Sequence, residues 1–340
     1  MRMKSLHLIG LIALAIAPLY GQQYWSTSSS LDCSDLNETA VEIASGEYAC
    51  YVSGTFVWFA SGGMWGSTIR VAAPSTNPIG VDYTFFDTSG TALNLDTTVN
   101  GSSKASGNEL FFALNANQPA EVELLGATGT ASKGVYPQST GSAYAIFYCP
   151  DEITCESVLP QLLYSALPSD PWLISVPIVF DNATWTTWSA VGINDSTHKI
   201  SLVVYNEDES ATTYNVYAYD SAGNQVGSGT TPSVPAEALL ADGSYGEGGT
   251  YGALLSDVIK TPLPSGVIKV LIDGGTLYSG VEMLQVTGIP GTNLTAATSL
   301  QVAYDNSPST ATSAVPVRRK SARRFRVPSK PKTVFPALPQ

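Results

Sequence analysis

The segment Tyr214-Asn-Val-Tyr-Ala-Tyr-Asp-Ser-Ala-Gly-Asn-Gln-Val226 decides the fold. Tyr214, Val216 and Ala218 fall on one side of an extended chain, and Asn215, Tyr217 and Tyr219 on the other, because successive strand side chains point to opposite faces. Aromatic and β-branched residues fill both rows, which predicts a strand. Asp220-Ser-Ala-Gly223 then supplies a turn. The carboxylate can accept bonds from the backbone just downstream, and glycine takes positive φ without a Cβ clash. The same device stands earlier, in Val81-Asp-Tyr-Thr-Phe-Phe-Asp-Thr-Ser-Gly-Thr-Ala-Leu93, with Asp87 and Gly90 in the places of Asp220 and Gly223. The pair predicts a β module built twice.

Further landmarks recur on either side. An apolar run (Thr55 to Phe59, Val176 to Phe180) meets a small polar turn that leads into Trp65 and Trp185. Ser67 to Ala73 and Thr187 to Ile193 read as the strands that follow. Pro119-Ala-Glu-Val-Glu-Leu-Leu-Gly126 is echoed by Pro235-Ala-Glu-Ala-Leu-Leu-Ala-Asp-Gly243, and late strands follow at Ala143 to Tyr148 and Val267 to Ile272. The order is kept while the spacing drifts, as in duplicated modules. Six to eight short strands per copy, with turn chemistry between them, predict an all-β chain of two tandem antiparallel sandwiches. The one helix expected is short, at Glu156 to Leu167.

The boundaries follow from composition. Residues 1–21 read as a signal peptide, with Arg2 and Lys4 before an apolar run and Gly21 at a plausible cut. No later segment is apolar and long enough to span a bilayer. The first sandwich is expected over 22–168 and the second over 172–304, divided at Pro168-Ser-Asp-Pro171, where two prolines break helix and ladder alike. Ser299 to Tyr304 would add an edge strand. Residues 305–340 read as a linker and a disordered basic tail rich in proline.

Of the chain's 340 residues 44% are hydrophobic, which excludes a wholly disordered protein, and only 13% are charged. Between signal and tail, six basic residues stand against all 28 acidic ones. Such a body repels nucleic acid and anionic lipid, so no nucleic-acid partner is expected. The expected partner is a cell-surface polymer, a polysaccharide or a protein. Four cysteines, Cys33, Cys50, Cys149 and Cys155, suggest two disulfides in an exported chain. Three pairings exist, and proximity in sequence favours Cys33–Cys50 with Cys149–Cys155. The expected location is secreted, at the cell surface or in the periplasm.

With these residues in view, the modules resemble the immunoglobulin-like β-sandwich repeats of secreted bacterial proteins. The likeness lies in Trp65, Phe86-Asp87 to Gly90 and Pro119, and again in Trp185, Tyr219-Asp220 to Gly223 and Pro235, over roughly residues 50–290. It implies a sandwich fold and a surface, adhesive or scaffold role, and it carries over no catalytic residue. Neither module has the Cys…Trp…Cys spacing of antibody-type domains.

Chemistry is sparse. His198, in the polar turn Asn194-Asp-Ser-Thr-His-Lys199, is the only histidine after the signal, so a nucleophile–His–carboxylate triad has one candidate base, in a setting that reads as a solvated loop. Glu121 with Glu123, and Glu207-Asp-Glu209, read as solvated carboxylates rather than a hydrolytic pair or a calcium loop. No cofactor and no metal are expected, and the chain reads as a non-enzyme. Aromatic residues remain as candidate ligand contacts. Trp185 and Trp65 recur at matching places, which fits a shared packing role, whereas Trp188 is the best exposed candidate, with Thr68 in its place in the first copy. Trp188, Trp185, Tyr217 and Tyr219 form the candidate ligand-binding set, able to stack on a sugar ring or anchor a protein contact.

Overall fold

The computed structural model describes residues 25–33, 40–63, 65–74, 76–102, 104–132, 134–158, 160–166, 174–177, 179–180, 186–237, 248–274, 279–289 and 293–305. The expected signal peptide, the basic tail, Trp172 and Trp185 lie outside them.

In Ile79-Gly-Val-Asp-Tyr-Thr-Phe-Phe-Asp87, eight consecutive residues are buried. A strand with one wet face alternates apolar and polar; here both faces are covered. Ile79, Val81, Tyr83 and Phe85 join the first core, and Phe86 on the other face packs in a cluster with Ile43, Tyr51, Tyr144, Ile146 and Tyr148. The first sandwich uses β1 (Val41–Ala44), β2 (Glu47–Ser61), β3 (Trp65–Ala72), β4 (Ile79–Asp87), β5 (Leu95–Val99), β6 (Ala105–Gly107), β7 (Glu109–Leu114), β8 (Pro119–Ala127), β9 (Ser139–Cys149), β10 (Gln161–Ala166), β11 (Ile174–Pro177) and β12 (Val179–Phe180). One sheet has the order β1-β2-β9-β4-β7, with β12 also beside β2, and the other β11-β10-β3-β8-β5-β6.

The second sandwich uses β13 (Thr187–Asn194), β14 (His198–Asn206), β15 (Asn215–Tyr219), β16 (Gln225–Thr230), β17 (Gly249–Leu254), β18 (Gly266–Asp273), β19 (Ser279–Ile289), β20 (Asn293–Ser299) and β21 (Ala303–Asp305). Its sheets are β16-β15-β18-β13-β21 and β17-β14-β19-β20. The chain is thus all-β, in antiparallel sandwiches, as expected.

Strand order makes the duplication concrete. The order 2-9-4-7 facing 3-8-5-6 is that of a jelly roll, in which nearly every connection crosses between sheets. The second sandwich repeats it: β13 to β19 take the places of β3 to β9, and β21 that of β10. At the edge held by β2, the second copy places β20, which comes from the far end of the module. The antiparallel sandwich that the resemblance implies is present in both copies. Of the landmarks in sequence, Trp65 opens β3, and Trp185 lies outside the described residues. Asp87 and Asp220 do not match, because one follows β4 and the other β15, and Pro119 opens β8 while Pro235 precedes β17.

The two Asp-x-x-Gly turns are nonetheless built alike. Asp87 Oδ1 accepts from the backbone of Ser89 and Thr91, at 2.8 and 3.1 Å, and Asp220 Oδ1 from Ala222 and Asn224, both at 2.9 Å. Gly90 and Gly223 take φ of 81° and 83°. Two short helices lie among the described residues: α1 (Glu152–Glu156), capped by Asp151, whose carboxylate accepts from Thr154 N at 2.8 Å, and α2 (Leu255–Val258) after β17. The helix expected through Leu167 is corrected: Gln161–Ala166 is β10, paired with Trp65–Arg70. A short apolar run such as Leu162-Leu-Tyr164 fits either period, and the open ladder of β3 decides it.

Two disulfides join Cys33 to Cys50 and Cys149 to Cys155. Cys50 and Cys149 face each other across the β2–β9 ladder, so all four sulfurs gather at one end of the first core. This bonding fits an oxidising, non-cytoplasmic environment. No helix among the described residues is long and apolar enough to cross a membrane.

The sandwiches meet on β2. Val57 packs with Val203 and Tyr205 of β14, and the Trp58 indole lies over Gly252 of β17. Val286 of β19 joins the first sandwich's core, and Thr250 N donates to Thr88 O at 3.1 Å. The run Leu202-Val-Val-Tyr205 is apolar at every position because its sheet faces its own core on one side and the first sandwich on the other. In sequence the division falls at Pro168–Pro171, but β11 and β12 pair with β10 and β2, so strand pairing changes hands only after Phe180.

Candidate interaction face

The sheet β16-β15-β18-β13-β21 turns one face to its core and the other to solvent. Inward go Trp188 and Ala190 of β13, Val216 and Ala218 of β15, and Ile268, Val270 and Ile272 of β18. Trp188 is 1% exposed and packs against Tyr214, with ring centroids 6.3 Å apart. It is a core residue, which corrects its expected place on the surface. The residues it matches in β3 are the inward Ser67 and Ile69, not the half-exposed Thr68.

With Trp188 inside, its strand neighbours of opposite parity face out. Val191 and Ile193 are 57% and 43% exposed, and Val267 of β18 is 50% exposed. The register sets them in rows. Ile193 lies beside Val267; Lys269 stands between Val191 and Tyr219, Leu271 between Ser189 and Tyr217, and Asp273 between Thr187 and Asn215. Tyr217, Tyr219 and Leu271 are half-buried. The structure thus keeps Tyr217 and Tyr219 together on one outer face, beside Leu271 and Lys269, places Val191, Ile193 and Val267, which sequence reasoning passed over, further across the same face, and removes Trp188 from the set.

The face is held firmly. Gln285 Oε1 accepts from Ile193 N at 2.6 Å, and its Nε2 donates to the carbonyls of Ile193 and Lys199 at 2.9 and 2.8 Å. This ties the end of β13 to β19 in the sheet beneath. Thr187 Oγ1 donates to Asp273 Oδ1 at 3.3 Å at the opposite end.

The equivalent face of the first sandwich is built for water. Arg70 of β3 donates to Glu121 of β8 at 2.6 Å, and Thr98 of β5 to Glu123 at 3.2 Å. Both glutamates are exposed and engaged in cross-strand pairs. The first face therefore carries cross-strand pairs of Arg70 and Glu121 and of Thr98 and Glu123, whereas the second sets Lys269 and Asp273 among aliphatic and tyrosyl side chains.

Other polar clusters are structural. Asp96 is buried and accepts from Ser106, Tyr136, Lys104 and Thr128 at 2.5 to 3.1 Å, which together hold its carboxyl well below the usual range. Asp195 accepts from the backbone of Thr197 and His198 and from the His198 ring, closing the β13–β14 turn, so its carboxyl too is depressed. Glu282, buried where the sandwiches meet, has its carboxyl pushed up to about 8 by desolvation. Its Oε2 lies 3.3 Å from the Tyr164 hydroxyl, which donates to Trp58 O at 2.5 Å. No group of three or more metal-ligating side chains forms among the described residues. Neither a scan against protein-family models nor a search of the curated proteins found a match to this chain.

Proposed function

We propose that the chain is an exported, non-enzymatic protein with a surface, adhesive or matrix-contact role, exercised through the outer face of the second sandwich. One observation carries the reading: equivalent faces of the two copies differ, with Arg70, Glu121 and Glu123 on one and Val191, Ile193, Val267, Leu271, Tyr217 and Tyr219 on the other. Exposed aliphatic side chains gathered on one face, here around Lys269, suit a contact surface, and tyrosines supply contact area at low entropic cost. The paired disulfides and the positively charged, apolar start of the chain support export. Retention of the full chain on isolated cell-envelope material tests the reading. Val191→Glu with Ile193→Glu should abolish retention while leaving circular dichroism unchanged; undiminished retention would refute it.

A second reading is carbohydrate binding. Tyr217 and Tyr219 lie two apart on one face of β15, beside Ser228 and Gln225, so two rings flanked by hydrogen-bonding groups face the same way. A glycan panel probed with the full chain and with Tyr217→Ala separates the readings. Sugar binding lost in the variant favours this one; no sugar bound by either leaves the protein-contact role.

A further inference from the structure

The outer row of β18 reads Val267, Lys269, Leu271, Asp273. Lys269 and Asp273 are equidistant from Leu271, about 13 Å apart along the strand. Lys269 is exposed and has no salt-bridge partner among the described residues. A two-fold axis in the plane of contact, crossing the strands at Leu271, would lay this row antiparallel on its own copy. Leu271 then meets Leu271, Tyr217 meets Tyr217, and each lysine meets an aspartate. Laid parallel, the same row would set lysine on lysine and aspartate on aspartate, which is repulsive where water is excluded. Charge thus makes the face self-complementary in one orientation, as an isologous contact requires.

From this pattern we propose that the outer face of the second sandwich binds the same face of a second copy of the chain, antiparallel, with Lys269 of each opposite Asp273 of the other. The proposal rests on the reading of that face as a contact surface and names its occupant. Adhesion would then be homotypic, between copies carried on apposed surfaces or gathered on one.

Analytical ultracentrifugation of the full chain over a concentration series tests it. The unaltered chain should dimerise, and Leu271→Glu should be monomeric with an unchanged circular dichroism spectrum. Lys269→Asp should weaken the dimer by at least about tenfold, since it sets two acidic groups against each other at both ends. Adding Asp273→Lys to that variant should restore the dimer to within about threefold, which a general loss of folding could not do. A monomer at every concentration, or a dimer indifferent to Leu271→Glu, would overturn the proposal. If the chain stays monomeric yet Val191→Glu with Ile193→Glu still loses envelope binding, the contact face stands and its occupant is another molecule.

Discussion

Trp188 and Val191 lie three residues apart on one strand and face opposite ways. The indole fills the second core against Tyr214, so Trp188→Ala should lower stability by about 3–5 kcal/mol, the range for a buried large aromatic. Chemical denaturation would show that loss, and binding by the folded fraction should be unaffected. Glu282 makes a different residue-scale argument. Its Oε1 has no hydrogen-bond partner among the described residues, and Tyr164 has one proton for both Trp58 O and Oε2, so a neutral carboxyl can supply the proton of the second contact. Burial raises the folded pKa from an ordinary 4.5 to about 8. Below the unfolded value both states are protonated and the contribution is fully present. Between the two values the unfolded chain alone ionises, so stability falls by up to about 1.4 kcal/mol per pH unit until the folded group titrates as well. Glu282→Gln should remove this slope. Urea titrations at about pH 5 and about pH 8 check it, and an unchanged slope would mean that Glu282 is ionised in the folded protein.

At the scale of elements, two glycines separate two kinds of constraint. Gly223 closes an Asp-x-x-Gly turn at φ 83° with open space around it, so Gly223→Ala should cost about 1 kcal/mol, from backbone conformation alone. Gly141 of β9 has no such φ, but a Cβ there would lie 1.8 Å from Phe86 O, so Gly141→Ala should cost about 3 kcal/mol or more. Thermal melting of both variants distinguishes them. Turns and strands of this kind are legible in sequence because their causes are local: a carboxylate two residues from the amides it caps, and a period of two. Strand partners are not local. The turns at Asp87 and Asp220 look equivalent because they are chemically alike, yet they follow strands that differ in place. The Trp188 face was equally hidden, because both parities of Thr187–Ile193 hold apolar residues. Only the neighbouring Ile268, Val270 and Ile272 settle which parity turns inward. That choice puts Trp188 in the core and Val191 and Ile193 on the outer face that also carries Tyr217 and Tyr219.

As a whole, the molecule is one jelly-roll plan used twice and joined through β2. The strand that closes the second copy is borrowed from its far end, while β12, just ahead of that copy, pairs into the first. Burial at the join explains the unbroken apolar run in β14 and leaves the sheets that hold β3 and β13 with solvent-facing sides. Those outer sheets share topology but not chemistry, and the functional reading stands on that difference. Its most direct test compares the two faces under one assay. Thr68→Glu with Ala72→Glu alters the first sandwich's outer face, and Val191→Glu with Ile193→Glu alters the second's, each in the full chain, with binding to cell-envelope material measured by co-sedimentation. The account predicts full binding by the first variant and a loss of at least about tenfold by the second. Equal binding by both variants would contradict it.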